Sequence, residues 1–223
     1  MTDLFTETPT EIAVLGAHCD DIAIGMGGTL LTLAESVVGL KVRALVLSGA
    51  GTDREVEERS ALAAFCPGAD LDVTVLDIPD GRAPAHWDRI KDELKAFRDR
   101  CDTRLVFTTQ RNDAHQDHRL LAEVTPTEFR SHLILGYEIL KWETDTPRPT
   151  MFHPLATAVA DRKVQLLHQH YPSQVGHDWF DAESFLGLSR LRGVQSRSPH
   201  AEAFVIEKAV VTFGSPANTV EGR

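Results

Sequence analysis

The chain has 223 residues, enough for one large domain with its own core, and is 42% hydrophobic and 25% charged, an ordinary composition for a soluble globular protein. Its net charge of −10 argues against nonspecific binding along a nucleic-acid backbone, which needs a basic footprint, yet leaves room for a small anionic ligand held by a local arginine. No apolar run reaches the roughly 20 residues of a membrane helix. The acidic stretch 1–11 does not read as a secretory signal, and three widely spaced cysteines, Cys19, Cys66 and Cys101, favour a reducing cytoplasm over a disulfide framework or zinc ribbon.

In chain order, Ile12 to Ala17 is a continuous apolar run, the signature of a strand buried on both faces. Gly25 to Val38 carries Met26, Leu30, Leu33 and Val37 at helical spacing, with Gly39 as a stop. Val42 to Leu47 predicts a second strand, and Asp53 is the expected cap of a helix running to Phe65. Leu71 to Ile78 predicts a third strand before the turn Pro79-Asp80-Gly81. Trp87 to Phe97 is amphipathic, with Ile90, Leu94 and Phe97 on one face. Leu105 to Thr109 reads as a fourth strand, Arg119 to Phe129 as a helix and His132 to Ile139 as a fifth strand. Beyond a loop at 145–149, helices are expected over 156–169 and 180–191, a late strand over 203–211, and fraying over 215–223. Strand and helix alternate, so the expected architecture is α/β: a Rossmann-like, mostly parallel sheet flanked by helices on both faces. No repeat or linker divides the chain, and one domain over 1–223, with its core at about 12–206, is expected.

Two clusters carry the chemistry. His18-Cys19-Asp20-Asp21 follows the first strand, and Asp113-Ala114-His115-Gln116-Asp117-His118 follows the fourth. The C-terminal ends of parallel strands are where α/β proteins assemble sites. A catalytic zinc takes three nitrogen or oxygen ligands and keeps a position open, a set that His18, Asp21 and His118 would supply. Hydrolysis at such a metal also needs a base for water and an acid for the leaving group, and Asp20 and His115 remain for those tasks.

His18-Cys19-Asp20-Asp21 resembles the His-Pro-Asp-Asp-Glu motif of the PIG-L / LmbE-like zinc N-deacetylases, and His115-Gln116-Asp117-His118 resembles that family's His-x-Asp-His motif. Looser matches are the helix Arg54 to Ala61, the turn Pro79-Asp80-Gly81, and Arg192-Gly193 followed by Ala201-Glu202-Ala203-Phe204. The resemblance implies a Rossmann-like hydrolase that removes an N-acetyl or related N-acyl group from an amino sugar or its conjugate through metal-bound water. It implies His18, Asp21 and His118 as ligands of zinc, with iron(II) and cobalt(II) also suited to the set. It implies Asp20 as general base, and His115 as oxyanion donor, acid for the leaving amine, or both. Arg54 matches an arginine that contacts substrate. The implied partner is a small N-acetylated sugar or glycoconjugate, with no nucleic acid and no membrane insertion; nothing in the sequence sets an oligomeric state.

Two positions depart from the pattern: Cys19 stands for the proline and Ile22 for the glutamate. Loss of proline is expected to loosen the loop, and loss of a glutamate behind the ligands to weaken the metal or the activity by about 10–100-fold. Alternatives are a metal-dependent phosphoesterase at the same site, a weakened metal- or sugar-binding protein, and a nucleotide-binding Rossmann protein. The spacing in Gly25-Met26-Gly27-Gly28 is wrong for the last, so those glycines are expected to serve close packing. A Cys19 nucleophile is not expected, since its neighbouring histidine serves better on the metal. Trp142 and Trp179 are expected to pack rather than stack on a sugar. His153, His168, His170, His177 and His200 are left unplaced by the sequence; one of them could line the pocket from the C-terminal half, and His200 lies in the matching signature.

Overall fold

The first strand, β1 (Glu11–Gly16), is buried along its whole length. Its residues alternate between two cores. Ile12 and Val14 enter one, and Ala13 and Leu15 the other, as a sheet covered on both faces requires. A computed structural model describes residues 9–210 and is the structure used throughout. Expectations for the first eight residues and for 211–223, including the frayed tail and the outer bounds of a 1–223 domain, lie outside the described residues.

The remaining elements are α1 (Asp21–Ser36), β2 (Lys41–Val46), α2 (Asp53–Phe65), β3 (Asp70–Val75), a 3-10 turn (Ala83–His86), α3 (Trp87–Arg98), β4 (Leu105–Thr109), α4 (Gln116–Glu128), β5 (Leu133–Tyr137), β6 (Met151–Leu155), α5 (Thr157–His170), α6 (Ala182–Ser196) and β7 (His200–Ile206). They form one seven-stranded sheet in the order β3-β2-β1-β4-β5-β7-β6. The first five strands are mutually parallel. β7 runs antiparallel to both β5 and β6. One core joins α1, α2 and α5 to the sheet through residues such as Met26, Phe65 and Leu167. The other joins α3 and α4 through Ile90, Leu94, Phe97, Leu121 and Val124. The fold is therefore the expected α/β sheet, mostly parallel, with helices on both faces. The chain leaves β1 towards β2 on one side and returns to β4 on the other. The crevice at the ends of β1 and β4 is thus the topological switch point, where such sheets bind ligands.

Three local expectations are corrected. The cap of α2 is Thr52, whose side chain accepts from the Arg54 backbone N–H, and Asp53 is already helical. β6 was not expected, because Pro154 interrupts its pattern; at the sheet's edge a missing donor is tolerated. The helix after β1 begins at Asp21 and breaks at Met26, whose φ of −145° and ψ of 20° are not helical. A buried clasp spans that break. Lys163 Nζ donates to the Ile24 carbonyl (2.6 Å) ending the first half. The Glu202 carboxylate accepts from Gly28 N (2.8 Å), Thr29 N (2.6 Å) and Thr29 Oγ1 (2.6 Å) opening the second. Lys163 and Glu202 pair at 2.7 Å. Each half-helix terminus thus receives the charge its orphan groups and dipole favour. The surrounding glycines serve close approach, since a Cβ on Gly25 would lie 2.2 Å from the Tyr137 ring and one on Gly27 2.7 Å from Phe65.

Candidate active site

Beyond β1 the backbone turns at Ala17–Asp20 so that Asp21 faces back towards the strand end. Its Oδ2 accepts from the backbone N–H of Ala17 and of His18, both at 2.9 Å. The same oxygen lies 3.3 Å from His118 Nε2 and 3.7 Å from His18 Nδ1. His18 Nδ1 and His118 Nε2 are 3.1 Å apart. Burial alone would raise the Asp21 carboxyl, but His118, His18 and the backbone donors hold it well below the usual range.

These separations test whether the residues suit a metal. Donors about 2.0–2.1 Å from one tetrahedral centre lie roughly 3.3–3.4 Å apart, close to the three distances here. Two imidazole nitrogens facing each other at 3.1 Å cannot both carry protons, so one hydrogen bond or one shared cation must satisfy them. The surrounding field favours a cation. Against the lowering effect of burial, Asp117, Asp80 and Asp21 raise the His18 imidazole, and Asp21 and Asp113 raise that of His118, so positive charge is favoured between them. The donor set fits a divalent metal. Two other groups of donor atoms also fall within 4.8 Å of one another, His18–His115–His118 and His18–Asp80–Asp117. The second uses groups that instead brace His18 from behind: its Nε2 meets Asp80 Oδ1 at 3.1 Å and Asp117 Oδ2 at 3.3 Å. Such carboxylate partners fix the orientation of a ligand histidine. Asp113 Oδ2 stands 3.0 Å from His118 Nδ1 in the same way and is held by Lys141, also at 3.0 Å.

Asp20 has a positive φ of 133°, unusual for a residue with a side chain, and makes no side-chain cap on α1. Holding a non-glycine residue there costs of order 1–3 kcal/mol. Its carboxylate lines the cavity and accepts from Arg54 Nη2 at 2.9 Å. Burial pushes Asp20 up to about 6, against the lowering pull of Arg54. His115 caps α4: its Nδ1 accepts from the Asp117 backbone N–H at 3.3 Å, which leaves Nε2 to bear the proton of the neutral ring. Burial and the neighbouring His18 and His118 lower its pKa, favouring that neutral form. The His115 ring centroid is 4.7 Å from that of His18 and 4.9 Å from that of His118.

Every residue singled out from sequence for this chemistry, His18, Asp20, Asp21, Arg54, His115 and His118, lines one cavity of about 710 Å³. Arg54 arrives there already engaged: Nη2 on Asp20 and the Cys19 carbonyl, Nη1 on Ser173 Oγ at 2.7 Å and on Glu57 at 3.5 Å. The Cys19 loop is tethered rather than loose. The Cys19 thiol donates to the Ser48 carbonyl (3.3 Å), and a Cβ on Gly49 would lie 2.6 Å from Cys19 Sγ. Burial pushes this thiol up, so it is a poor nucleophile. Ile22 is fully buried and packs in the core. Trp142 and Trp179 pack edge to face as expected, but both also line the cavity and Trp142 is 65% exposed. None of the five C-terminal histidines is among the described lining residues; the His177 ring packs against the two tryptophans.

Sequence reasoning gave no role to Asp80, Asp117 or Lys141. The motif contained Asp117 and the turn contained Asp80, but only the approach of the β3 loop shows that both face His18. The loop holds Asp117 by the Gly81 and Ala83 backbone N–H groups at 2.8 and 3.1 Å. A second cavity, of about 210 Å³ beside α4 and β5, lies away from these residues.

A mostly parallel α/β sheet with two histidines and an aspartate converging at its switch point places the chain among α/β proteins with a candidate metal site in that crevice, and the comparisons with known proteins narrow the class. Residues 13–127 match the PIG-L family, GlcNAc-PI de-N-acetylase, and the chain belongs to that family. It is 29% identical over 140 residues to the uncharacterized deacetylase YaiS of Escherichia coli (strain K12), covering 57% of this chain and 72% of that one. The fold superposes on N,N'-diacetylchitobiose deacetylase from Pyrococcus horikoshii with a TM-score of 0.70 at 19% identity, covering 89% of this chain and 84% of the other. It also superposes on GalB, the 4-carboxy-2-hydroxymuconate hydratase of Pseudomonas putida KT2440, with a TM-score of 0.67 at 19% identity, covering 92% and 99%. Likenesses this distant concern the fold, and the hydratase among them means that the site must argue the reaction.

Proposed function

We propose that the protein is a metal-dependent N-deacetylase that hydrolyses the acetamide of an amino sugar or its conjugate. The reading rests on one observation: His18 Nδ1, Asp21 Oδ2 and His118 Nε2 converge at near-tetrahedral separations on the cavity that Asp20 and His115 also line. A divalent ion held there, zinc or alternatively iron(II) or cobalt(II), polarises a carbonyl and makes water acidic enough to be deprotonated near neutral pH.

The chain's own groups carry the proton traffic. Asp20, with a pKa near 6, is ionised at neutral pH and basic enough to take a proton from attacking water. Arg54 fixes the direction of that carboxylate and is the candidate contact for the sugar along its cavity-facing edge. His115 Nε2–H is the candidate donor to the developing oxyanion, and the departing amine takes the proton that Asp20 has removed from water, directly or relayed through the His115 ring. Asp80 and Asp117 keep His18 oriented, and Asp113 does the same for His118.

The test is acetate release from N-acetylglucosamine glycosides by metal-loaded protein, with phosphate release from simple phosphomonoesters measured in parallel. Acetate without phosphate is expected. Phosphate release alone would replace the reading with a phosphoesterase, and sugar binding without turnover would replace it with a binding protein.

A further inference from the structure

Beyond the reacting groups, the 710 Å³ cavity has a wall, or rim, whose aromatic and outer acidic residues, Trp142, Trp179, Asp77 and Glu143, have no part in the steps above. Two independent properties of that rim point to one kind of occupant. The first is charge. Among the described residues lining the cavity the lysine and arginine side chains are Arg54 and Lys141, and each already carries two carboxylates. Asp20 and Glu57 hold Arg54. Asp113 and Asp145 hold Lys141. Three further acids stand on the wall: Asp77, paired with Arg89, Asp80, paired with His18 yet with its side chain 76% exposed, and Glu143. A phosphate entering here would find no uncommitted cation and would be repelled by these carboxylates.

The second property is an aromatic wall on loops that follow β5 and α5. Trp142 and Trp179 stand edge to face with centroids 6.1 Å apart. The wall is braced from behind. Trp142 Nε1 donates to Asp178 Oδ1 at 2.6 Å, and Trp179 meets the buried Phe180 ring edge to face at 5.5 Å. His177 lies nearly parallel to Trp179, at 13° and 6.2 Å. Trp142 nevertheless leaves 65% of its surface uncovered, and a large apolar face held rigid beside a cavity is a stacking platform.

We propose that the rim receives the part of the substrate beyond the acetamido sugar as an uncharged ring, laid against Trp142 and Trp179, and that it rejects phosphate-bearing sugars. The bond that is cut rests on the deacetylase reading above; the rim's preference does not. Trp142 is then the specificity-determining residue.

The probes are a 4-nitrophenyl N-acetylglucosaminide and N-acetylglucosamine 1-phosphate. Calorimetry on chelator-treated protein removes any recruitment of phosphate by metal. The aryl glycoside is expected to bind at least about tenfold more tightly than the 1-phosphate, and Trp142→Ala to weaken it by about tenfold, with Trp142→Phe restoring most of the loss. Thermal unfolding of the variants guards against misfolding. Equal affinity for the 1-phosphate, or an unaffected Trp142→Ala, overturns the inference. In metal-loaded protein the same substitution is expected to raise KM for acetate release from the aryl glycoside. Rim binding with no acetate from any sugar upholds the rim and overturns the deacetylase reading; acetate release with KM unmoved by Trp142→Ala does the reverse.

Discussion

Replacing Glu202 with alanine probes whether the broken α1 is held by its clasp or by its packing alone. The carboxylate is 5% exposed and takes four hydrogen bonds: two backbone N–H groups, the Thr29 hydroxyl and Lys163 Nζ. Its removal leaves a lysine that is 8% exposed without its counter-charge and uncaps the second half-helix. Breaking a buried pair from one side costs about 3–5 kcal/mol, which for a chain of this size lowers Tm by about 6–20 °C. Lys163→Met should cost less, about 1–3 kcal/mol, because Glu202 keeps its three helix donors. The double variant Glu202→Ala/Lys163→Met should fall short of the summed cost by at least about 1 kcal/mol, since the second change removes the stranded charge. Urea unfolding of all four proteins, metal-free and followed by far-UV circular dichroism, gives the cycle. A Glu202→Ala cost below about 1 kcal/mol, or strict additivity, would refute the clasp.

Other predictions concern the site. His118→Ala and Asp21→Asn should each abolish stoichiometric retention of a divalent metal after desalting, measured by elemental analysis, while His115→Ala retains it; full occupancy in His118→Ala would move the metal elsewhere. Asp20→Asn should keep the metal and lower acetate release by about 10²–10⁴-fold, and unchanged turnover would remove Asp20 from the mechanism. Glu58 is fully buried, among the described residues its side chain is bonded only by Tyr171 OH at 2.7 Å, and burial pushes its pKa up to about 8 from an ordinary 4.5. The folded state therefore keeps a proton that the unfolded chain releases above about pH 4.5. Stability should fall by up to about 1.4 kcal/mol per pH unit from there to about 8 and level off above it. Glu58→Gln should flatten that slope in chelator-treated protein; parallel slopes for variant and parent would contradict it.

The architecture was legible because β1, β2 and β4 are short, largely apolar runs, β3 alternates apolar with polar residues, and helical patterns separate them, so that periodicity reports burial directly. Five of the six candidate residues stood out for a different reason: His18 to Asp21 and His115 to His118 are local clusters, each following one strand end, whereas Arg54 comes from α2 and was picked out by the family resemblance alone. What escaped was nonlocal. Nothing around Lys163 or Glu202 announces that the two meet across the break in α1, because burial of a lysine is set by tertiary contacts. The signature Arg192-Gly193 proved structural in the same way. Arg192 makes a bidentate pair with Glu138 at 2.7 and 2.6 Å, and Gly193 admits the chain at Pro199 and His200. The expected slackness at Cys19 failed because the restraint comes from Ser48 and Arg54, residues distant in sequence.

Asp117 touches three separate stretches of chain at once: it faces His18, 99 residues earlier, accepts from the β3 loop about 36 residues earlier, and opens α4 itself. Each closure carries an entropic cost that local contacts do not repay. The braced site therefore cannot exist in a chain that has only its helices: the donors meet when β1 and β4 pair, and His18 is held in place once the β3 loop has docked as well. An ion with affinity for the finished set alone stabilises it by RT ln(1 + [L]/Kd). On the proposed reading, metal occupancy would report the finished fold, and scarcity of the ion would lower the amount of intact protein as well as its turnover.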